Sequence, residues 1–336
     1  MSSATSLARS IDRRHGFVRL LLVGTLLLDL FVVGMVALVV DQDREREVAQ
    51  AEVLTENYSK MLEAALVGFF ARIDITAQTV KDEVERQLAL GGIDEKALAT
   101  FLARQHAHIP ETRGLRVVDA QGIVRHASPG LLVLSQSAAD NPQFIRLRDD
   151  PDAGLVFSKP FLGRASGKWL ISLGRRVNHP DGSFAGNIHV AVAIEQFLEM
   201  FSRTDLGPQG IIGLWDQSSL IARYSRADAE GGSVGSTTPS ARLRALLDAD
   251  SKAAAYRAKS GGDGILRTSH FRKVDGYPLY LVVGLAEADY LDAWRTDTTD
   301  IVGLAGLFVA FTLLSACAPA YGPRMCWPAW AATSFW

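Results

Sequence analysis

Residues 155–194 read LVFSKPFLGRASGKWLISLGRRVNHPDGSFAGNIHVAVAI. Three β-rich runs, Leu155 to Leu162, Lys168 to Val177 and Ser183 to Ile194, are separated by Arg164-Ala165-Ser166-Gly167 and by Pro180-Asp181-Gly182. Gly and Pro supply the dihedrals of a tight reversal, so the three runs form an antiparallel meander. On the last run Ile188, Val190, Val192 and Ile194 make an apolar face, and Asn187, His189 and Ala191 point the other way. Glu195 to Phe201 then leaves the meander as a helix.

Upstream, Leu115 to Asp119 and Ile123 to His126 flank Ala120-Gln121-Gly122 as a hairpin, and a short polar helix follows over Asn141 to Arg148. Asp94 caps an amphipathic helix through Leu98, Phe101 and Leu102 to about His106, which Pro110 stops. Before it, Asp41 to Leu90 contains no Pro and only Gly68, with an apolar stripe at Tyr58, Leu62, Ala65, Phe69, Ile73, Val80, Val84 and Leu88. Such a helix reaches about 70 Å, taller than one small domain.

Downstream the pattern repeats in smaller form. Ile211 to Trp215 and Leu220 to Tyr224 flank a turn, and Ser240 caps a helix through Leu243, Leu246 and Leu247. Strands are expected at Ala254 to Ala258, Ile265 to Lys273 and Pro278 to Leu285, and from Ala288 a helix is expected to run straight on. The middle of the chain is therefore expected to be α+β, two antiparallel sheets in series on one long helix.

Both ends are apolar. Leu20 to Val40 and Ile301 to Ala320 each have about the length that spans a hydrocarbon core, and the second carries no charge. Arg9, Arg13, Arg14 and Arg19 against Asp12 alone put the N-terminal flank in the cytoplasm and the middle of the chain outside. A cleaved signal peptide fits less well, because the apolar run is too long and no small-x-small site precedes Asp41. Asp29, costly in lipid, is expected to face a helix partner.

Composition narrows the function. With 35 basic and 37 acidic residues the net charge is −2, which argues against nucleic-acid binding. Cys317 and Cys326 both lie at or after the second apolar run, so no disulfide or thiolate metal site is expected in the middle part. His106 and His108 lack the carboxylates of a zinc site. Gly261-Gly262-Asp263-Gly264 lacks the Glu and Phe of the diguanylate cyclase signature and reads as a loop. No catalytic grouping, cofactor or metal is expected.

Four segments then resemble the double Cache family of bacterial extracytoplasmic sensors: Asp140 to Arg148, Phe157 to Phe161, Ser166 to Trp169 and Asp181 to Gly186. Phe271 to Leu291 is similar to the proximal modules of membrane diguanylate cyclases and histidine kinases. The resemblance covers about residues 41–300. It implies an α+β fold with a long N-terminal helix and two PAS-like antiparallel-sheet modules in series, flanked by two transmembrane helices. The expected division is a cytoplasmic tail (1–19), a first transmembrane helix (20–40), a stalk helix (41–90), a membrane-distal module (91–204), a membrane-proximal module (205–287), a connecting and second transmembrane helix (288–320) and a short tail (321–336).

In such sensors the distal module holds a small molecule between its sheet and the helix and loops that cover it. Carried onto this chain, the candidates are Phe144, Arg148, Phe157, Phe161, Trp169, Ser172, Arg175 and His189. His189 lines the pocket if the apolar face of its strand covers the long helix. Aromatic residues on strands are more often core than ligand walls, and Arg175 and Arg176 alternate faces, so one of them is solvated. The amino-acid-binding branch uses aspartates for the ligand's ammonium group where this chain has Gly163 and Ala193. Arg148, Arg175 and Lys159 lean instead toward a carboxylate or other anion.

The expected function is a homodimeric, two-pass inner-membrane sensor of a small, anionic molecule, its N-terminus cytoplasmic and its centre periplasmic. The residues after 320, rich in Trp, Cys and Pro, are expected to be too few for an output domain. Two alternatives stand beside this: the sensor part of a diguanylate cyclase or histidine kinase truncated at its C-terminus, or an envelope interaction protein without a ligand.

Overall fold

The structure, a computed structural model, describes residues 2–129, 137–163, 166–226 and 234–317, with side chains from residue 19 to 316 within those ranges. Arg164 and Ala165 of the expected turn, the side chains of Arg9, Arg13 and Arg14, and the expected tail 321–336 lie outside the described residues. The chain divides into two compact units: residues 48–290, and the chain ends 1–47 with 291–336.

The helix α1 runs unbroken over Ser2–Ala89. Its buried seam is Leu62, Leu66, Phe69, Phe70, Ile73, Ala77, Val80 and Val84, steps of three and four with Phe69 and Phe70 adjacent, which keep one face inward. The expected stripe needs one correction: Ala65 is exposed, and Leu66 takes its place in the seam. Gly91 and Gly92, both at positive φ, end the helix. The Asp94 carboxylate then accepts the Ala97 N–H and caps α2 (Glu95–His106).

The first sheet has strands β1 (Gly114–Asp119), β2 (Val124–Ala127), β3 (Val156–Phe157), β4 (Phe161–Leu162), β5 (Trp169–Asn178) and β6 (Phe184–Ala193). Their order is β2-β1-β6-β5-β3, with β4 also on β5, all antiparallel. The run expected as one strand over 155–162 is thus two short strands. Pro160 has no N–H to give the ladder, and the Ser158 hydroxyl accepts the Ser172 N–H in place of a backbone carbonyl. Helices α3 (Pro142–Asp149) and α4 (Ile194–Ser202) complete this module.

The second sheet, β7 (Ile211–Trp215), β8 (Leu220–Ser225), β9 (Ala253–Lys259), β10 (Leu266–Lys273) and β11 (Tyr280–Ala286), is ordered β8-β7-β11-β10-β9, with α5 (Ala241–Asp248) between β8 and β9. The two modules repeat one plan: a hairpin, a short helix, then strands that place the last beside the first. One apolar core runs through both, joining the α1 seam to Ile171, Val190 and Val192 of the first sheet and to Ile212, Leu281 and Val283 of the second.

The helix expected to run straight on from Ala288 is instead a single turn, α6 (Glu287–Tyr290), followed by α7 (Asp292–Cys317). Asp289 accepts the Gln209 backbone and side-chain N–H groups, and the Tyr290 hydroxyl pairs with Thr268, so the turn is tied to the sheet before the chain goes on. In the other unit, two hydrogen bonds join α1 to α7. Thr312 donates to Asp29 at 2.8 Å, and the Trp294 indole N–H donates to the Val40 carbonyl. Most of the Leu, Val and Phe residues of both helices face outward, and each helix is long and apolar enough to cross a membrane by length and composition.

Candidate functional site

The face of the first sheet turned away from α1 is where the polar chemistry collects. Strand alternation sends Ile171, Leu173, Ile188, Val190 and Val192 to the α1 core, and leaves Ser172, Gly174, Arg176, Asn187, His189 and Ala191 on the opposite face. Arg116 of β1 is the direct strand partner of His189, so it stands on that face too.

Helix α3 lies over this face. Asn141 caps it and Pro142 opens it. Gln143 locks it down: its amide N–H donates to the Val156 and Ser172 carbonyls at 2.6 and 3.0 Å, and the Ser172 hydroxyl donates to its Oε1 at 2.7 Å. Gly174 permits the contact, since a Cβ there would stand 2.8 Å from Leu147 Cδ1. Arg176 fastens the other end, donating to the Leu147 and Arg148 carbonyls, with its guanidinium over the Phe184 ring at 4.8 Å. Phe144 meets the same ring edge to face.

Beside this clamp the polar groups are unspent. Arg116 has no hydrogen-bond or ion-pair partner among the described residues, and burial pulls its guanidinium below the ordinary value. His189 keeps some residue surface, yet its Nδ1 is buried without a partner among the described residues. Burial first, and the Arg116 charge second, push the imidazole down to about 4, so it is neutral at physiological pH. The Asn187 side-chain oxygen is likewise buried and unpartnered. Phe161 packs on Leu170, Ala191 and Ala193 along the same face. The Arg116 guanidinium over a small-residue floor suits a compact acceptor such as a carboxylate, and the Asn187 oxygen is left to accept from a donor such as a ligand hydroxyl.

Of the eight expected residues, the structure brings Phe161, Ser172 and His189 to this face and places Phe144 in the helix above it. Ser172 serves as the anchor of α3. Phe157 lies on the opposite face, edge to face with Phe70 and Tyr277 in the α1 core. Arg175, one step from Arg176, also faces α1 and grips Asp74 at 2.5 and 2.8 Å. Arg148 turns outward onto its neighbour Asp149, and Trp169 is 40% exposed at the strand end. Lys159 is exposed. The cations expected to draw an anion therefore point elsewhere, and Arg116 stands at the site in their stead. Its signal was its parity, opposite to Leu115 and Val117.

No family model matches this chain, and no curated protein matches it. Solved structures do. The extracellular domain of a histidine kinase, rpHK1S-Z16, is 23% identical with a TM-score of 0.64, covering 71% of this chain and 95% of that one. The periplasmic sensory domain of the Campylobacter jejuni chemoreceptor Tlp1 is 7% identical with a TM-score of 0.58, over 72% and 96%. The ligand-binding domain of Mlp24, solved with asparagine, is 15% identical with a TM-score of 0.54, over 76% and 99%. The chain has the fold of these extracellular sensory domains, the double Cache arrangement of two antiparallel-sheet modules in series on one long helix.

Proposed function

We propose that this chain is a membrane-anchored extracytoplasmic sensor whose first sheet binds a small carboxylate or similar anion. The observation that carries the reading is the unpaired Arg116 beside a buried, unpartnered His189 Nδ1, on a face already roofed by α3. Solved domains of this fold hold asparagine, L-alanine or GABA. Here the positions Gly163 and Ala193 offer no carboxylate for an ammonium group, and a Cβ on Gly163 would come within 2.6 Å of Ser166 Oγ. An acid without an α-amino group fits better. The two apolar helices anchor the chain, with the N-terminal arginines on the cytoplasmic side, and the chain works as a homodimer.

The test is a thermal-shift screen of the full chain in nanodiscs against mono- and dicarboxylates, amino acids and amines. A carboxylate ligand at 100 times its Kd adds about 2.7 kcal/mol of stability. Arg116→Ala removes a charged hydrogen bond and weakens that ligand by roughly 1.5 to 3 kcal/mol. Amines shifting the protein while acids do not would reverse the charge assignment. No shift from any class would favour an envelope interaction protein that binds no ligand.

A further inference from the structure

The second module carries a cavity on the same face of its sheet as the candidate site of the first. Its volume is about 70 Å³, room for on the order of five waters. The helix α5 roofs it as α3 roofs the first site. We infer that this cavity is a second binding site, for a small flat molecule that joins an apolar ring to a carboxylate.

The walls decide the ring. Trp215, Leu220, Leu243 and Val282 line the cavity. Gly213 keeps its floor open beside the indole: a Cβ there would lie 2.9 Å from Trp215 Nε1. An aromatic ring set against Trp215 gains offset or edge contact as well as area.

The polar groups decide the charge. The Trp215 indole N–H has no acceptor among the described residues, and it points a donor at the cavity floor. Lys259 is exposed at the rim without an ion-pair partner among the described residues. The N-terminus of α5 adds its partial positive charge, with no acidic residue in its first turn. The acid nearest by is already engaged. Asp263 accepts Arg267 in two hydrogen bonds of 2.8 Å and Arg223 in one of 2.5 Å. Burial alone would raise its carboxyl, but these bonds and charges hold it down at about 2. That lock orders the rim, since Arg267 is fully buried and also donates to Ser260 and to the Gln209 carbonyl.

The experiment follows para-fluorobenzoate by fluorine NMR with the full chain in lipid nanodiscs, empty nanodiscs being subtracted, and para-fluorobenzamide as the neutral counterpart. Saturable binding of the acid is expected, with the amide at least about threefold weaker. Lys259→Glu weakens the acid by a similar factor and leaves the amide unchanged. All of these measurements are made in the Arg116→Ala background, so that a carboxylate held by the first sheet does not contribute; there Thr238→Trp, which fills the mouth from an exposed position without touching the core, abolishes binding of both. Gly213→Val fills the floor but risks the fold, so Thr238→Trp is the decisive variant. Absence of saturable binding, or binding that survives Thr238→Trp, overturns the site. Equal binding of acid and amide, unmoved by Lys259→Glu, overturns the carboxylate.

Discussion

His189 and Arg116 face each other across neighbouring strands, so protonating the imidazole would set a second cation beside a half-buried first one. The unfolded ring titrates near its ordinary value and the folded one at about 4. Between those pH values the unfolded chain binds the extra proton, and stability must rise with pH. This contribution is complete above about pH 6.5 and falls away as the pH drops toward 4. The full loss is roughly 3 kcal/mol. Urea denaturation at stepped pH should show that slope in the wild type and its disappearance in His189→Gln; an unchanged slope would remove His189 from the account. Saturating carboxylate should flatten it as well, because an anion beside the ring returns its pKa toward the ordinary value. Parity alone places His189 on the face away from α1, so this residue was legible in the sequence. Parity gives Arg116 its face too, but not its neighbour: its approach to His189 depends on β1 pairing with β6 across some seventy residues of chain.

At the scale of elements, the strands and helices were legible and their faces only partly so. Ser172 and Arg175 are three apart on one strand and must point to opposite sides, which is what separates the α3 anchor from the Asp74 pair. Phe157 and Phe161, four apart, would share a face on a continuous strand. The break at Ser158-Lys159-Pro160 sends one to the α1 core and the other to the face under α3, and no local periodicity announces such a break. The long helix shows the same limit: a drift of one position separates the expected Ala65 from the observed Leu66. The difference is measurable. Leu66→Ala opens a cavity at a fully buried position and should cost about 2 to 5 kcal/mol, whereas Ala65→Ser on the exposed side should change stability by less than about 0.5 kcal/mol. Matching costs at the two positions would mean the seam is misassigned.

Across the whole of residues 48–290, the two sheets share one core rather than owning one each. Phe70 of α1 touches Phe157 of the first sheet and Tyr277 of the second module's β10–β11 turn, and Phe157 and Tyr277 also meet each other, ring centroids 5.2 to 5.9 Å apart. Burial raises the Tyr277 phenol above its ordinary value, with the nearby Asp74 charge adding to it, so the ring meets this junction uncharged. The same α1 turn carries Asp74, which holds Arg175 of the first sheet. Such continuity makes separate melting of the modules costly, since either one alone would expose the α1 seam it had covered. Unfolding should therefore be a single transition, despite two sheets of repeated topology. Variants that keep only Trp169 or only Trp215 report on the first and second sheet respectively, and their fluorescence midpoints in urea should coincide. Tyr277→Ala takes out the aromatic group common to both modules; it should destabilise by about 3 kcal/mol or more and separate the two midpoints. Two midpoints in the wild type would mean that the modules fold independently, and that a ligand on one sheet cannot reach the other through this core.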